Sequence, residues 1–337
     1  MTSFIRPTLS GTTALAVSIS FVAAMGQSAR AADWMYATDA SNDAFSSAGN
    51  QSVFEIYGMG IKDDGDHVWV GINSGLGVNG KDFGPDSSIE DKNIGWGDLF
   101  FDFSPESNFE DSSNASTLFG IHFAANNDTL INGQDPQIGV YGNVKGRSVQ
   151  STNGGFKNFG AHEYYVNGKS FEQRPGYVKP TIGDLSNTDS YYGRFTNSWT
   201  GDDYIANSIG SGTFLGSIEM LSSQSLFDQG FDIGVFGQSV TPTFGFKFER
   251  SLLPDGDFIA SIFEECLNDA IALVGALTPP PVEEPPVEEP PVVQPPISDP
   301  PISDPVPVPE PGTLLATVMF GFAAFAQKRK GSVTKTA

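Results

Sequence analysis

The chain is poor in cysteine, histidine and positive charge. Its 337 residues include one cysteine, Cys266, so no disulfide can form within the chain. Stability must then come from a hydrophobic core rather than from cross-links. The three histidines, His67, His122 and His162, have no second histidine or cysteine at metal-ligand spacing, which leaves zinc without support. No G-x-S-x-G nucleophile elbow occurs. Cys266 lies on an apolar stripe and reads as a small buried hydrophobe, not as a nucleophile. Lysine and arginine together number 18 against 40 aspartates and glutamates, a formal net charge of −22. Residues 32–277 alone carry 33 acidic and 12 basic side chains, a net of −21. Such a field repels nucleic acid and anionic membrane surfaces, whereas it permits cation binding and favours solubility.

Long apolar runs are confined to the two ends. Arg6 precedes a run of apolar and small residues over 13–25, and Ala29-Arg30-Ala31 follows as an A-x-A cleavage site. This order predicts a secretory signal peptide over residues 1–31, with cleavage at Ala29 and Ala31 and a mature start near Ala32. The second run, residues 312–326, would rise only ~22 Å as a helix against a hydrocarbon core of ~30 Å. Lys328, Arg329 and Lys330 follow it, and their stems can snorkel while the charges stay in the cytoplasm.

A proline-rich linker, residues 278–309, separates this tail from the main domain. From Pro280 it runs as five tandem pentads: Pro-Pro-Val-Glu-Glu twice, Pro-Pro-Val-Val-Gln once and Pro-Pro-Ile-Ser-Asp twice. Proline fixes φ and removes donors, so the linker is expected to be a polyproline II rod. At ~3.1 Å per residue it spans roughly 90 Å.

The remaining residues, 32–277, are enough for one large domain. Short runs with alternating polar and apolar side chains recur through it. Val68, Val70 and Ile72 share one face, as do Leu99, Phe101 and Phe103, then Phe119, Ile121 and Phe123, then Phe244, Phe246 and Phe248. Candidate strands also cover residues 52–61, 138–144, 213–221 and 231–236. The Asp64-Gly65 pair between residues 52–61 and 67–73 predicts a hairpin. Period-two alternation and Gly-rich turns point to a mainly β domain, an antiparallel β-sandwich or jelly roll, rather than a βαβ fold. Residues 151–209 hold many aromatic rings without a clean period, and are expected as loops and short strands over one end of the sandwich. One C-terminal packing helix is expected from Asp257, its N-cap, to Ile271. Phe258, Ile259, Ile262, Phe263, Cys266, Leu267, Ala270 and Ile271 would form its apolar stripe, and Glu264, Glu265, Asn268 and Asp269 its wet face.

Few constellations suggest chemistry. Residues 75–80 spell G-x-G-x-x-G after a strand, but Lys81-Asp82-Phe83-Gly84-Pro85-Asp86 cannot start the helix that a dinucleotide site requires. His122 lies within a strand and reads as structural. Asp63, Asp64 and Asp66 around Gly65 offer hard oxygen ligands and are the calcium candidates, although they lack the twelve-residue EF-hand layout. A solvated hairpin turn is the favoured reading of them, with calcium as the weaker alternative. Asp39, Asn42 and Asp43 form a similar cluster and are read the same way. No cofactor and no catalytic residue is assigned. The aromatic residues between Phe156 and Tyr204 either cover the sheet or serve as platforms for sugar rings.

The tail Val308-Pro309-Glu310-Pro311, its apolar run and Lys328-Arg329-Lys330 together resemble the PEP-CTERM sorting signal, over residues 308–337. The resemblance implies Sec export, transient membrane insertion and recognition of Pro309, Glu310 and Pro311 by exosortase, a membrane peptidase. Three further segments resemble exosortase-dependent surface proteins of cyanobacteria: Phe54-Glu55-Ile56-Tyr57-Gly58-Met59, the run from Asn93 to Phe101, and the run from Gly256 to Cys266. That family implies delivery to the envelope, the cell surface or the exterior, and brings no catalytic residues. The expected function is that of a non-enzymatic surface or extracellular-matrix protein. The alternatives are an exopolysaccharide-binding module on a rigid stalk, and a glycan-acting hydrolase with paired carboxylates.

Overall fold

The computed structural model describes residues 33–44, 52–104, 106–162, 180–192, 204–237 and 242–278. The signal segment, the linker, the Pro309-Glu310-Pro311 motif and the apolar tail lie outside them. Among the described residues no helix is long and apolar enough to cross a membrane.

The chain is mainly β, built from open antiparallel sheets. One sheet has the order β1 (Met35–Thr38), β2 (Ile56–Asp63), β3 (His67–Ser74), β13 (Thr243–Glu249) and β12 (Glu219–Leu221). The other has the order β11 (Ser208–Gly216), β8 (Gly139–Arg147), β7 (Leu118–His122), β6 (Leu99–Asp102), β14 (Gly256–Phe263) and β15 (Ala270–Leu277). Two short ribbons flank them, β4 (Lys81–Asp82) with β5 (Asn93–Ile94), and β9 (Thr181–Ile182) with β10 (Leu185–Ser186).

A single apolar core joins the facing sides of the two large sheets. From the five-stranded sheet come Met59, Ile61, Val68, Val70, Ile72 and the three phenylalanines of β13. From the six-stranded sheet come Leu99, Phe101, Ile121, Phe258, Ile262 and Leu273. The alternating residues of the sequence therefore point inward as their period requires. The Asp-Gly hairpin also forms: β2 and β3 pair from Ile61↔Val70 to Asp63↔Val68, and Gly65 takes a φ of 91° in the turn.

Each sheet has a second layer on its outer face. On the six-stranded sheet, Phe100, Leu118, Tyr141, Ile259 and Phe263 meet Phe159, Tyr191, Tyr192 and Phe109. Phe109 belongs to the short helix α1 (Phe109–Ala115), whose first turn is capped by Asn108 accepting from the Asp111 amide at 2.8 Å. The described part of the aromatic stretch thus covers a sheet face, not one end of the domain. On the five-stranded sheet, Gly60, Gly71 and Gly245 stand in register across three strands. A Cβ at Gly60 or Gly71 would come within 2.7 Å of the Phe231 ring, so these two glycines make room for the ring, while Gly245 lies against Leu226. Residues 231–236, expected as a strand, instead form an irregular cover that includes the single turn Ile233–Phe236. Their apolar side chains serve a packed lid, and no alternation is needed there. The lid follows the helix α2 (Ser223–Asp228).

The expected packing helix over 257–271 is not formed. Those residues make the β14–β15 hairpin, with Phe263↔Ala270 the last pair before its loop. Phe258, Ala260 and Ile262 enter the core between the sheets, and Ile259 and Phe263 enter the outer cluster. A strand buried on both faces reads as a continuous apolar run, and such a run matches helical spacing by coincidence. The supposed wet face is corrected with it: Glu264, Glu265, Asn268 and Asp269 form the hairpin loop and are all buried.

Candidate functional site

The loop between β14 and β15 brings an acid into contact with the opposite side of the core. Asp269 stands at the start of β15, and its Oδ2 accepts from the Ile56 amide at 2.7 Å. Glu55 immediately precedes β2, while Asp39 and Asp43 lie in the turn that follows β1. Three segments distant in sequence thus converge where β15 runs against β1 and β2. One carboxylate oxygen from each of Asp39, Asp43 and Asp269 falls within a mutual distance of 4.8 Å. Glu55 adjoins Asp43, and Asp39 adjoins Asp269, carboxyl to carboxyl.

Each acid uses part of its acceptor capacity on nearby backbone. Asp39 Oδ1 accepts from the Gly183 amide and the Thr181 hydroxyl, both at 2.8 Å. Asp43 Oδ2 accepts from the Thr181 amide at 2.8 Å, and Glu55 Oε1 from the Asn42 amide at 2.6 Å. The other oxygens, Asp39 Oδ2, Asp43 Oδ1 and Glu55 Oε2, are buried and meet no donor. Among the described residues no lysine or arginine pairs with these acids. Glu264, also fully buried, leaves Oε1 without a donor, and its Oε2 accepts from the Cys266 thiol at 3.8 Å.

The electrostatic consequence is a site hostile to negative charge. Burial, opposed only partly by hydrogen bonds, holds Asp39 and Glu55 up at about 7. Burial followed by the charges of Asp39 and Glu55 pushes Asp43 up to about 10. Burial and the surrounding acids hold Asp269 well above the usual carboxylate range. Such a cluster needs protons or a cation to coexist with the fold.

The calcium candidates of the sequence behave differently. Asp63 Oδ1 accepts from the Gly65 amide at 2.9 Å, and its Oδ2 takes the Arg250 guanidinium at 2.8 Å. Asp64 Oδ1 accepts from the Asp66 and His67 amides, and its Oδ2 from the Trp69 indole at 2.6 Å. Asp63 and Asp64 organise the turn, and Asp66 is exposed. The G-x-G-x-x-G run leads into β4, and Gly80 adopts a φ of 69°. His122 pairs with buried Asp98 at 2.9 Å. His162 is buried against the Phe156 ring, and burial pushes its imidazole down to about 4. Burial also raises the Cys266 thiol well above its usual range. Cleavage residues Ala29 and Ala31, and the tail residues Pro309 to Lys330, lie outside the described residues.

Asp39 and Asp43 were visible in the sequence as a cluster; Glu55 and Asp269 were not associated with it. The available signal was a lone acid inside an apolar run, Phe54-Glu55-Ile56, which a buried strand end tolerates only with a partner. A separate groove of about 410 Å³ lies beside α1, with Asn108, Glu110, Arg147, Asn158, Tyr192 and Tyr204 in its walls. Comparison with family models, curated proteins and solved structures returns no match to this chain.

Proposed function

We propose that the chain is an exported, exosortase-sorted surface or matrix protein whose β-sandwich domain acts without catalysis. The observation that carries this reading is the pairing of an N-terminal export segment with the Pro309-Glu310-Pro311, apolar and basic tail. The geometry supports the non-catalytic part. The strongly perturbed acids lie inside the domain, where a polymeric substrate does not reach. Among the described residues the groove beside α1 has one carboxylate, Glu110, in its wall, whereas glycosidic cleavage uses two facing ones. Intact-mass measurement of surface material tests the sorting. The mature protein is expected to start near Ala32 and end close to Pro311, and replacing Glu310 should give a larger, membrane-retained species. Retention of residues 312–337 in surface material would mean an ordinary membrane anchor.

A second reading, exopolysaccharide binding, is favoured by one feature of the groove. Tyr204 is an exposed ring beside Asn108, Asn158 and Arg147, side chains suited to sugar hydroxyls. A glycan array with the full chain and a Tyr204→Ala variant separates the two readings. Binding lost in the variant supports the second, and no binding to any polysaccharide removes it.

A further inference from the structure

We propose that Asp39, Asp43, Glu55 and Asp269 bind one calcium ion, which ties the turn after β1 and the entry to β2 onto the loop that begins β15.

The geometry points to a metal before it points to protons. The three aspartate oxygens within 4.8 Å of one another fit around a single ion whose oxygen ligands lie at roughly 2.3–2.6 Å, because opposite ligands are then about 5 Å apart. Three buried oxygens of the cluster, one each on Asp39, Asp43 and Glu55, have no hydrogen-bond partner among the N–H and hydroxyl groups around them. Native interiors seldom leave acceptors in that state unless something outside the polypeptide satisfies them. Asp269 retains lone pairs beyond the two amides that it accepts. Protein donors hold the other oxygen of these three carboxylates: Gly183 and Thr181 on Asp39, Thr181 on Asp43, Asn42 on Glu55. Such outer contacts orient ligands toward a common centre. The upward displacement of all four acids, caused first by burial, agrees with this, since a divalent ion would supply the compensating charge that the buried site lacks.

The ligand chemistry selects the ion. All donors are carboxylate oxygens, which suit hard cations rather than zinc or copper. Magnesium usually keeps several waters and takes one or two carboxylates, whereas calcium accepts an irregular cage of protein oxygens. Four acids buried at the meeting of three chain segments match calcium.

The test uses the purified full chain, stripped with chelator at pH 7.5 and titrated with calcium chloride or magnesium chloride. Isothermal titration should give about one calcium per chain. The Tm should rise by about 5 °C or more in calcium, because an ion bound only to the folded state stabilises it. Asp43→Asn should abolish both responses, and Asp64→Asn, in the hairpin turn, should leave both intact. If Asp43→Asn fails to fold, the wild-type titration still decides. Stripped, folded wild type that binds no calcium and keeps its Tm overturns the proposal. So does loss of binding in Asp64→Asn with retention in Asp43→Asn. Equal binding and stabilisation by magnesium overturns the choice of ion.

Discussion

Two groups of buried acids in this domain are solvated in opposite ways. Asp98 is fully buried, and its carboxylate has four donors: the His122 ring at 2.9 Å, the Asn127 amide at 3.1 Å, the Thr129 hydroxyl at 2.6 Å and the Ile209 backbone at 2.7 Å. The polypeptide has replaced the water that Asp98 lost on folding, and in doing so it fastens β7 and β11 to the entry of β6. Asp39, Asp43 and Glu55 are equally deep but have donors on one side only. A buried carboxylate is therefore no signature in itself. The balance of donors tells whether it closes a network inside the protein or leaves a place for something else.

Removing the acid that has all its donors should have the largest effect. Asp98→Ala leaves the His122 ring, a hydroxyl and two N–H groups without their acceptor, and is expected to cost about 3–5 kcal/mol in urea denaturation, independent of calcium. A loss below 1 kcal/mol would show that the two groups do not differ as described.

Glu265 stands between the two extremes. Its oxygens accept the Gly95 amide at 2.6 Å and the Asp128 amide at 2.5 Å, yet burial outweighs them and pushes the carboxyl from 4.5 up to about 8. From about pH 4.5 to 8 the folded chain then holds a proton that the unfolded chain has released. Its stabilising contribution is complete below the unfolded value and is lost as pH rises through the folded one, a change of a few kcal/mol. Thermal melts across this window should show a falling stability whose slope is shallower in Glu265→Gln. An unchanged slope would place the titration elsewhere.

The smallest effect has the opposite sign. In chelator-treated protein at pH 8, Asp43→Asn removes one of several crowded acids and keeps an acceptor for the Thr181 amide. It should raise the metal-free stability by about 1 kcal/mol or more, measured by chemical denaturation, since burial keeps Asp43 protonated at this pH at a cost that a neutral amide does not carry. A clear loss of stability would mean that Asp43 already has its charge satisfied, as Asp98 does.

The strands that were legible are those with one wet or polar face. The β13 run Thr243-Phe244-Gly245-Phe246-Lys247-Phe248 alternates because its phenylalanines enter the core while Lys247 reaches out to Glu219 at 3.2 Å. The β14 run carries no such mark. Ile259 and Phe263 are needed by the aromatic cover on the outer face, and Phe258 and Ile262 by the core, so apolar side chains fill consecutive positions and imitate a helical stripe. A helical reading places Glu264 and Asp269 on a solvated far side, whereas the hairpin buries both. Cys266 is buried in the hairpin, as it would be on the apolar stripe of a helix.

Local chemistry decided much of this protein before any folding: the acidic charge, the absence of a disulfide, the Asp-Gly turn and the alternating strands all follow from neighbours within a few residues. The acid cluster could not be decided that way. Asp39 and Asp43 are four residues apart and visible together, but Asp269 joins them across the whole domain, and its distance is set by how β15 packs against β1 and β2. The charge state of a carboxylate depends on what surrounds it in three dimensions, the lost water, the donors and the other acids. Only the tertiary structure supplies those, so the same residue types became a hydrogen-bonded turn at Asp63 and Asp64 and, beside Asp269, a cluster with unsatisfied oxygens at Asp39, Asp43 and Glu55.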